Sequence, residues 1–278
     1  MAFVIVSNIL YKFMVKKFVI GIMGVGMVGG ATKRYFETTG HEVVSYDPFK
    51  GFDDASVLER ADYIFICVPT PYLVDNGGFD LSFVKTAMDL IPENKVVVIK
   101  STVLPGTTVA LQAEYPKLKV LFNPEFLTEE SADQDMRFPD RQLVGYTKES
   151  YTASADLIML LPAAPFERVL PATEAEMVKY FGNTWFAVKV VFANQMYDVC
   201  DKLGLDYDMV RDAAAADKRI GRSHLEIFHK GARGYGGKCL PKDTRAMIQL
   251  GERLGLSLDL LKTTDAINNK LVEGSNKK

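Results

Sequence analysis

The reactive side chains of this sequence concentrate in Gly234-Tyr235-Gly236-Gly237-Lys238-Cys239-Leu240-Pro241-Lys242-Asp243. Pro241 suits the first position of a helix running to about Leu254, where a missing N–H costs nothing. Cys239 then stands just before a helix N-terminus, between Lys238 and Lys242. The helix dipole and both ammonium groups favour thiolate, the nucleophilic form of cysteine. Asp243 falls in the first helical turn, one turn from the thiol, placed to orient a water or share a proton. The glycines leave room for a ligand against the backbone. Taken alone, the stretch fits a buried structural cysteine beside a flexible loop equally well.

Three other groups of residues carry candidate chemistry. Lys179 and Asn183 are four apart in a helical stretch and so share a face. Such a pair can position a hydroxyl and stabilise an oxyanion, although a solvated helix face is the blander reading. Glu125 sits in Asn123-Pro124-Glu125-Phe126-Leu127, directly after an apolar run, where apolar neighbours would raise its pKa and suit it to acid–base work. Gly24-Val25-Gly26-Met27-Val28-Gly29 has the G-x-G-x-x-G spacing of a dinucleotide fingerprint. Asp47 follows Gly24 by 23 residues, close to the roughly 20 expected for a ribose-binding acid. In that motif the first glycine makes the turn, the second admits the pyrophosphate and the third lets helix pack on strand. The carboxylate repels a 2′-phosphate, which selects NAD over NADP.

These groups need elements to hold them. Apolar runs predict strands at Lys17–Met23, His41–Tyr46, Tyr63–Val68, Lys95–Lys100, Lys119–Phe122 and Gln142–Gly145, with a helix at Ala31–Thr39 closed by Gly40. Strand alternating with helix predicts a Rossmann-type, doubly wound parallel α/β sheet over residues 16–172. Cys67-Val68-Pro69-Thr70-Pro71 and Ser101-Thr102-Val103 end two of the strands, where parallel sheets face their ligands. Thr173 and Glu176 have capping-box spacing, and no proline interrupts the next stretch to about Lys202. A helical domain is therefore expected over 173–278.

Composition narrows the class. The 278 residues are 48% hydrophobic with net charge −2, which supplies a core and no electrostatic case for nucleic acid or an anionic membrane. Three dispersed cysteines form no disulfide framework, so a reducing cytoplasm is expected. His41, His224 and His229 lack metal-ligand spacing, and no metal is expected. The apolar run at 1–15 precedes its lysines and falls short of the ~20 residues of a membrane span. Residues 1–13 are read as an extension outside the fold.

Together these motifs resemble the UDP-glucose/GDP-mannose dehydrogenase family: the glycine fingerprint, VPTP, STV, NPEFL, Glu176-x-x-Lys179-x-x-x-Asn183, Arg219-Ile220-Gly221 and GYGGKCLPKD, in family order. The resemblance implies four-electron oxidation of the C6 alcohol of a nucleotide sugar, UDP-glucose to UDP-glucuronate. Cys239 would form a thiohemiacetal and then a thioester. Lys179 and Asn183 would hold the reacting oxygen, Asp243 and Thr102 would handle water and proton, and Glu125 would assist hydrolysis. NAD contacts are implied for Gly24 to Gly29, Asp47, Lys50, Val68, Pro69, Thr70, Ser101, Thr102, Glu129 and Lys242. Substrate contacts are implied for Glu125, Phe126, Leu127, Lys179, Asn183, Arg219, Lys230, Tyr235 and Gly236. Arg219 would reach the substrate of a neighbouring subunit, which implies a homodimer through the helical domain. The sequence stops where the family's C-terminal UDP-binding domain would begin, so that domain is expected to be absent, with a separate chain as a possible source of it. Two alternatives stand beside this reading: a two-electron hydroxyacid or 6-phosphogluconate-type dehydrogenase, and a non-catalytic NAD-binding remnant.

Overall fold

The computed structural model describes residues 17–73, 78–229 and 231–275. The expected extension at 1–13 and Lys230 lie outside them. The chain divides into two compact units. The first takes the described residues up to Thr70 together with Leu81–Glu176, and the second takes Pro71–Asp80 with Met177 onward. The division falls inside a long helix, not at its start, and residues 71–80 go with the helical unit.

In the first unit, strand β1 (Val19–Met23) leads through helix α1 (Met27–Thr38) to β2 (Glu42–Tyr46), and β3 (Tyr63–Ile66) follows. The short strands β4 (Tyr72–Leu73) and β5 (Gly78–Phe79) interrupt this unit in sequence. Then come α2 (Ser82–Asp89), β6 (Val96–Ile99), α3 (Thr107–Glu114), β7 (Lys119–Phe122), α4 (Ala132–Arg137), β8 (Arg141–Tyr146), α5 (Tyr151–Leu160) and β9 (Phe166–Pro171). The sheet order is β2-β1-β3-β6-β7-β8-β9. Strands covered on both faces need unbroken apolar runs, and all four residues of β3 are buried. Ile20, Ile22, Phe36, Phe65, Val98, Leu121 and Val144 form the core with Leu157.

Within this sheet β2, β1, β3, β6 and β7 are parallel, but β8 pairs antiparallel with β7, and β9 then runs parallel to β8. The doubly wound sheet expected from the sequence is thus parallel except at the β7–β8 pairing. The single helix between β7 and β8, α4, has six residues and packs against α1 instead of crossing the sheet, so the chain turns straight back. Helix α1 also begins at Met27, earlier than the expected Ala31.

The second unit is built on helix α6 (Ala172–Leu203), from Met177 onward, with α7 (Tyr207–Ala215), α8 (Leu240–Arg253) and α9 (Asp259–Ser275). On α6, Lys179, Asn183, Ala187, Val190 and Asn194 are buried, while Phe181, Trp185, Phe192, Val199 and Leu203 are exposed. The candidate pair Lys179 and Asn183 therefore lies on the inward face, not on a solvated one. Strands β4 and β5 pair antiparallel and sit on α8, where Gln249 Oε1 accepts the Phe79 N–H at 3.4 Å. Ala187, Val190, Val191 and Tyr235 form a cluster against which Leu240 and Ile267 pack.

Candidate functional site

The fingerprint glycines of the first unit are required by space. Gly24 has φ +85°, and a Cβ there would lie 2.9 Å from the Cys67 carbonyl oxygen. A Cβ on Gly29 would stand 1.9 Å from the Gly24 carbonyl oxygen, which no relaxation of a side chain relieves. Gly26, at the N-cap of α1, has nothing within 4 Å. The first amides of a helix have no intrahelical acceptor and carry the positive end of its dipole. An open, side-chain-free approach to such amides fits a pyrophosphate. The site also lies where β1 has β2 on one side and β3 on the other, the switch point at which open α/β sheets bind ligands.

A tight turn closes this end. Asp47 and Phe52 exchange backbone hydrogen bonds, and Gly51 takes φ +79° between them. Asp47 Oδ2 accepts the Val25 N–H at 2.7 Å, and Lys50 Nζ donates to the Val25 carbonyl at 2.5 Å. Both predicted cofactor residues thus grip the glycine loop. The next strand ends are stitched together as well: Thr70 Oγ1 donates to the Thr102 carbonyl at 2.7 Å and Ser101 Oγ to the Val68 carbonyl at 2.7 Å. Pro69 is exposed beside them.

Glu125 follows β7, is 8% exposed, and accepts the Leu127 N–H at 2.9 Å. Phe126 stacks under the Arg141 guanidinium, 3.9 Å from its ring centre, and Glu129 is exposed. Burial pushes the Cys67 thiol up to about 12, with Glu125 adding to the rise and Lys100 opposing it. Cys67 is partly buried and packs against the sheet core.

Glu176 corrects one expectation. The helix starts at Ala172, so Thr173 is already inside it and cannot serve as its N-cap. The Glu176 carboxylate instead accepts Gly106 N–H at 2.6 Å, Thr108 N–H at 2.7 Å and the Thr108 hydroxyl at 2.6 Å. It caps α3, just after the turn that carries Thr102. Burial pushes its carboxyl up to about 7, against the pull of these hydrogen bonds.

In the second unit the centre is Asp243, which is 1% exposed. Its Oδ2 accepts from Asn183 Nδ2 at 2.5 Å, and its Oδ1 meets Lys242 Nζ at 2.5 Å. Lys179 is buried one turn before Asn183 on the same helix. Cys239 is the N-cap of α8 and is exposed, and its carbonyl accepts the first helical bond from the Asp243 N–H at 2.9 Å. Pro241 occupies the second helical position, one later than expected. The structure thus brings Cys239, Asn183, Lys242 and Asp243 into one arrangement.

Two predicted substrate residues stand outside this arrangement. The Tyr235 ring is 4% exposed within the apolar cluster, so its side chain is not available to a ligand; the neighbouring Gly236 is exposed. The resemblance implies Tyr235 as a substrate contact through its place in the loop, and the fold turns its ring inward. The Arg219 side chain is 90% exposed and paired with Asp217 at 2.5 Å. Among the described residues, no group of three or more His, Cys, Asp or Glu could hold a metal ion, and no helix is long and apolar enough to cross a membrane.

Comparison with known proteins fits both halves. Residues 48–159 match the NAD binding domain of the UDP-glucose/GDP-mannose dehydrogenase family, and residues 173–270 match its central domain. A UDP-glucose dehydrogenase from the hyperthermophilic archaeon Pyrobaculum islandicum superposes with TM-score 0.80 at 32% identity, covering 92% of this chain and 68% of that one. The chain belongs to the UDP-glucose/GDP-mannose dehydrogenase family. A UDP-glucose 6-dehydrogenase of Bacillus subtilis (strain 168) is 36% identical over 232 residues, 78% of this chain and 48% of that protein. A ternary complex of GDP-mannose dehydrogenase from Pseudomonas aeruginosa gives TM-score 0.63 at 27% identity, covering 91% and 69%. The chain spans about half the length of the curated relatives it matches.

Proposed function

We propose that this chain carries the cofactor-binding and thiol-bearing parts of an NAD-dependent nucleotide-sugar 6-dehydrogenase acting on UDP-glucose. The carrying observation is the Asn183–Asp243–Lys242 arrangement at the first turn of α8, beside exposed Cys239. NAD would be held by the Gly24–Gly29 loop and Asp47, and two NAD molecules in turn would supply the hydride acceptor, one for each oxidation. Cys239 adds to the C6 aldehyde and keeps it covalently attached, first as thiohemiacetal and then as thioester, until water releases the acid. A covalent hold is what a two-oxidation sequence with cofactor exchange requires. Buried Asp243 fixes Asn183 and Lys242 in place, so that Asn183 and Lys179 can hold the reacting oxygen without a reorganisation cost. Thr102, Glu125 and Glu129 keep the roles that the family resemblance gives them, and Arg219 remains the candidate to reach a neighbouring subunit.

A second copy of the chain is the proposed partner. Met177, Phe181, Trp185, Phe192, Met196, Val199 and Leu203 form an exposed apolar stripe at helical spacing on α6. Trp185→Glu should convert a dimer to monomer in sedimentation measurements, and a parent chain that sediments as a monomer removes this part of the reading.

The test of the reaction is to incubate the chain with NAD and UDP-glucose and count NADH per sugar. Two NADH and an acid product are expected, with acid lost in Cys239→Ala while NAD binding persists. One NADH per sugar, or acid production by Cys239→Ala, would overturn the covalent mechanism in favour of a two-electron dehydrogenase. NAD binding without any turnover would favour the non-catalytic reading.

A further inference from the structure

Asn268 lies on α9, 33 residues from Tyr235 in sequence, and is 2% exposed. Its Oδ1 accepts the Tyr235 N–H at 2.7 Å and its Nδ2 donates to the Tyr235 carbonyl at 2.9 Å. A carboxamide has the shape of a peptide group, so this pair copies one rung of an antiparallel ladder, in which two residues exchange both bonds. The preceding residue has to be glycine. Gly234 has φ +79°, and a Cβ there would lie 2.7 Å from Asn268 Oδ1 and 3.2 Å from Leu271 Cβ. The Tyr235 ring is buried with Ala187, Val190 and Val191, and Leu240 packs on the same cluster.

Between Tyr235 and Leu240 the chain is exposed. Gly236, Gly237, Lys238 and Cys239 are all exposed, and a Cβ on Gly236 or Gly237 would meet nothing within 4 Å. On the far side, α8 is fastened to α9 by Arg245, which pairs with Asp265 at 3.1 Å and donates to Asn269 at 2.9 Å. Cys239, the N-cap of α8, is thus reached through a short glycine span, and both Tyr235 before the span and α8 after it are tied to α9. Glycine has the widest backbone freedom of any residue, so the span defines a position only while its ends are held.

We propose that Asn268 is a positioning residue for Cys239: by clamping the main chain of Tyr235 it sets where the glycine span delivers the thiol relative to the first amides of α8. The inference rests on the proposed role of Cys239 as nucleophile. Losing the clamp leaves a buried N–H and C=O unpaired and lets the span wander. The first turn of α8, which Cys239 caps, then frays, and the thiol loses the helix amides and Lys242.

The test is the pH profile of Cys239 alkylation by iodoacetamide in the full chain, with the modified residue identified by mass spectrometry. Cys67 and Cys200 are less exposed and serve as internal references. The parent profile should turn below the ~8.5 of an ordinary thiol. Asn268→Ala and Asn268→Asp should move the inflection up towards that value and slow alkylation at pH 7 by about tenfold. The aspartate variant fills the same volume, keeps the acceptor and lacks the donor, so it reads the second hydrogen bond where the alanine variant folds poorly. A structural role alone would lower the melting temperature and leave the inflection in place, which overturns the proposal. Deuterium uptake across residues 233–238 of the parent needs no variant, and rapid exchange at the Tyr235 amide overturns it too. A parent inflection at the ordinary thiol value counts instead against Cys239 as the activated nucleophile.

Discussion

The two glycine-rich loops of this chain solve similar problems by different means. Each precedes a helix start, and in each a side chain distant in sequence accepts a main-chain N–H: Asp47 from Val25, Asn268 from Tyr235. In the first loop, Gly24 and Gly29 are fixed by contact, since a Cβ would strike the backbone of the next strand or of the loop itself. In the second, Gly231 and Gly237 have positive φ but open space around them, and only Gly234 is crowded. The first loop is shaped by its own packing. The second is held at Tyr235 by a side chain of α9, and the residues after it are exposed.

The first loop should not tolerate replacement of its crowded glycines. Gly29→Ala places a Cβ 1.9 Å from a carbonyl oxygen, so β1 and α1 must separate. NAD affinity should fall at least a hundredfold, with a loss of several kcal/mol of stability, comparable to severe overpacking. Gly236→Ala meets nothing within 4 Å and has no positive φ, so its stability should change by less than about 1 kcal/mol. Calorimetric titration with NAD and thermal melts of both variants check this. Equal damage from the two substitutions would erase the distinction.

A smaller effect tests how acceptors at helix starts are tuned. Glu176 caps α3 as Asp47 holds the first loop, but it is wholly buried, and burial holds its carboxyl near 7 against an ordinary 4.5. The folded chain therefore binds this proton more tightly than the unfolded one. Its stabilising contribution is complete below about 4.5 and is lost as pH rises through about 7, a change on the order of 3 kcal/mol. Parent stability should fall between pH 5 and 8 by several degrees more than that of Glu176→Gln, which cannot titrate. Parallel melting curves for the two proteins would rule out the raised carboxyl.

The same contrast explains what was legible in the sequence. The strands covered on both faces announced themselves as apolar runs, and the fingerprint glycines carried their meaning in their spacing. Strand β9 did not: it is an edge strand, mostly exposed, with Glu167, Arg168 and a closing Pro171 in place of an apolar run. The pair β4 and β5 has two residues per strand, too few for any periodicity. Glu176 read as a local cap because three-residue spacing is a local rule, and a tertiary partner at α3 took the carboxylate instead. Asn268 left only a faint trace, a polar residue four after Thr264 on the buried side of an otherwise ordinary helix. Sequence patterns report local spacing, and a clamp across 33 residues has none.

The smallest effect is expected at Tyr235, and it sharpens the comparison furthest. If the second loop met its ligand through this ring, removing the hydroxyl would cost a substrate hydrogen bond. The structure instead buries the ring, and burial pushes its phenol up to about 12, with Asp265 adding and Thr244 opposing. Its Oη lies beside Thr244 Oγ1, and the two buried hydroxyls do not reach good hydrogen-bond geometry with each other or with any other group. A buried hydroxyl in that state contributes little, and replacing it by C–H is neutral or slightly stabilising. The main-chain clamp to Asn268 does not involve the phenol at all. Tyr235→Phe should therefore shift urea unfolding by no more than about 1 kcal/mol, with Cys239 alkylation and NADH yield per sugar unchanged. Tyr235→Ala should behave oppositely, because emptying the cluster costs about 3–5 kcal/mol and frees the span that leads to Cys239. A phenylalanine variant that folds normally yet loses turnover would put the phenol on the substrate, and the second loop would then read its ligand directly instead of merely presenting a thiol to it.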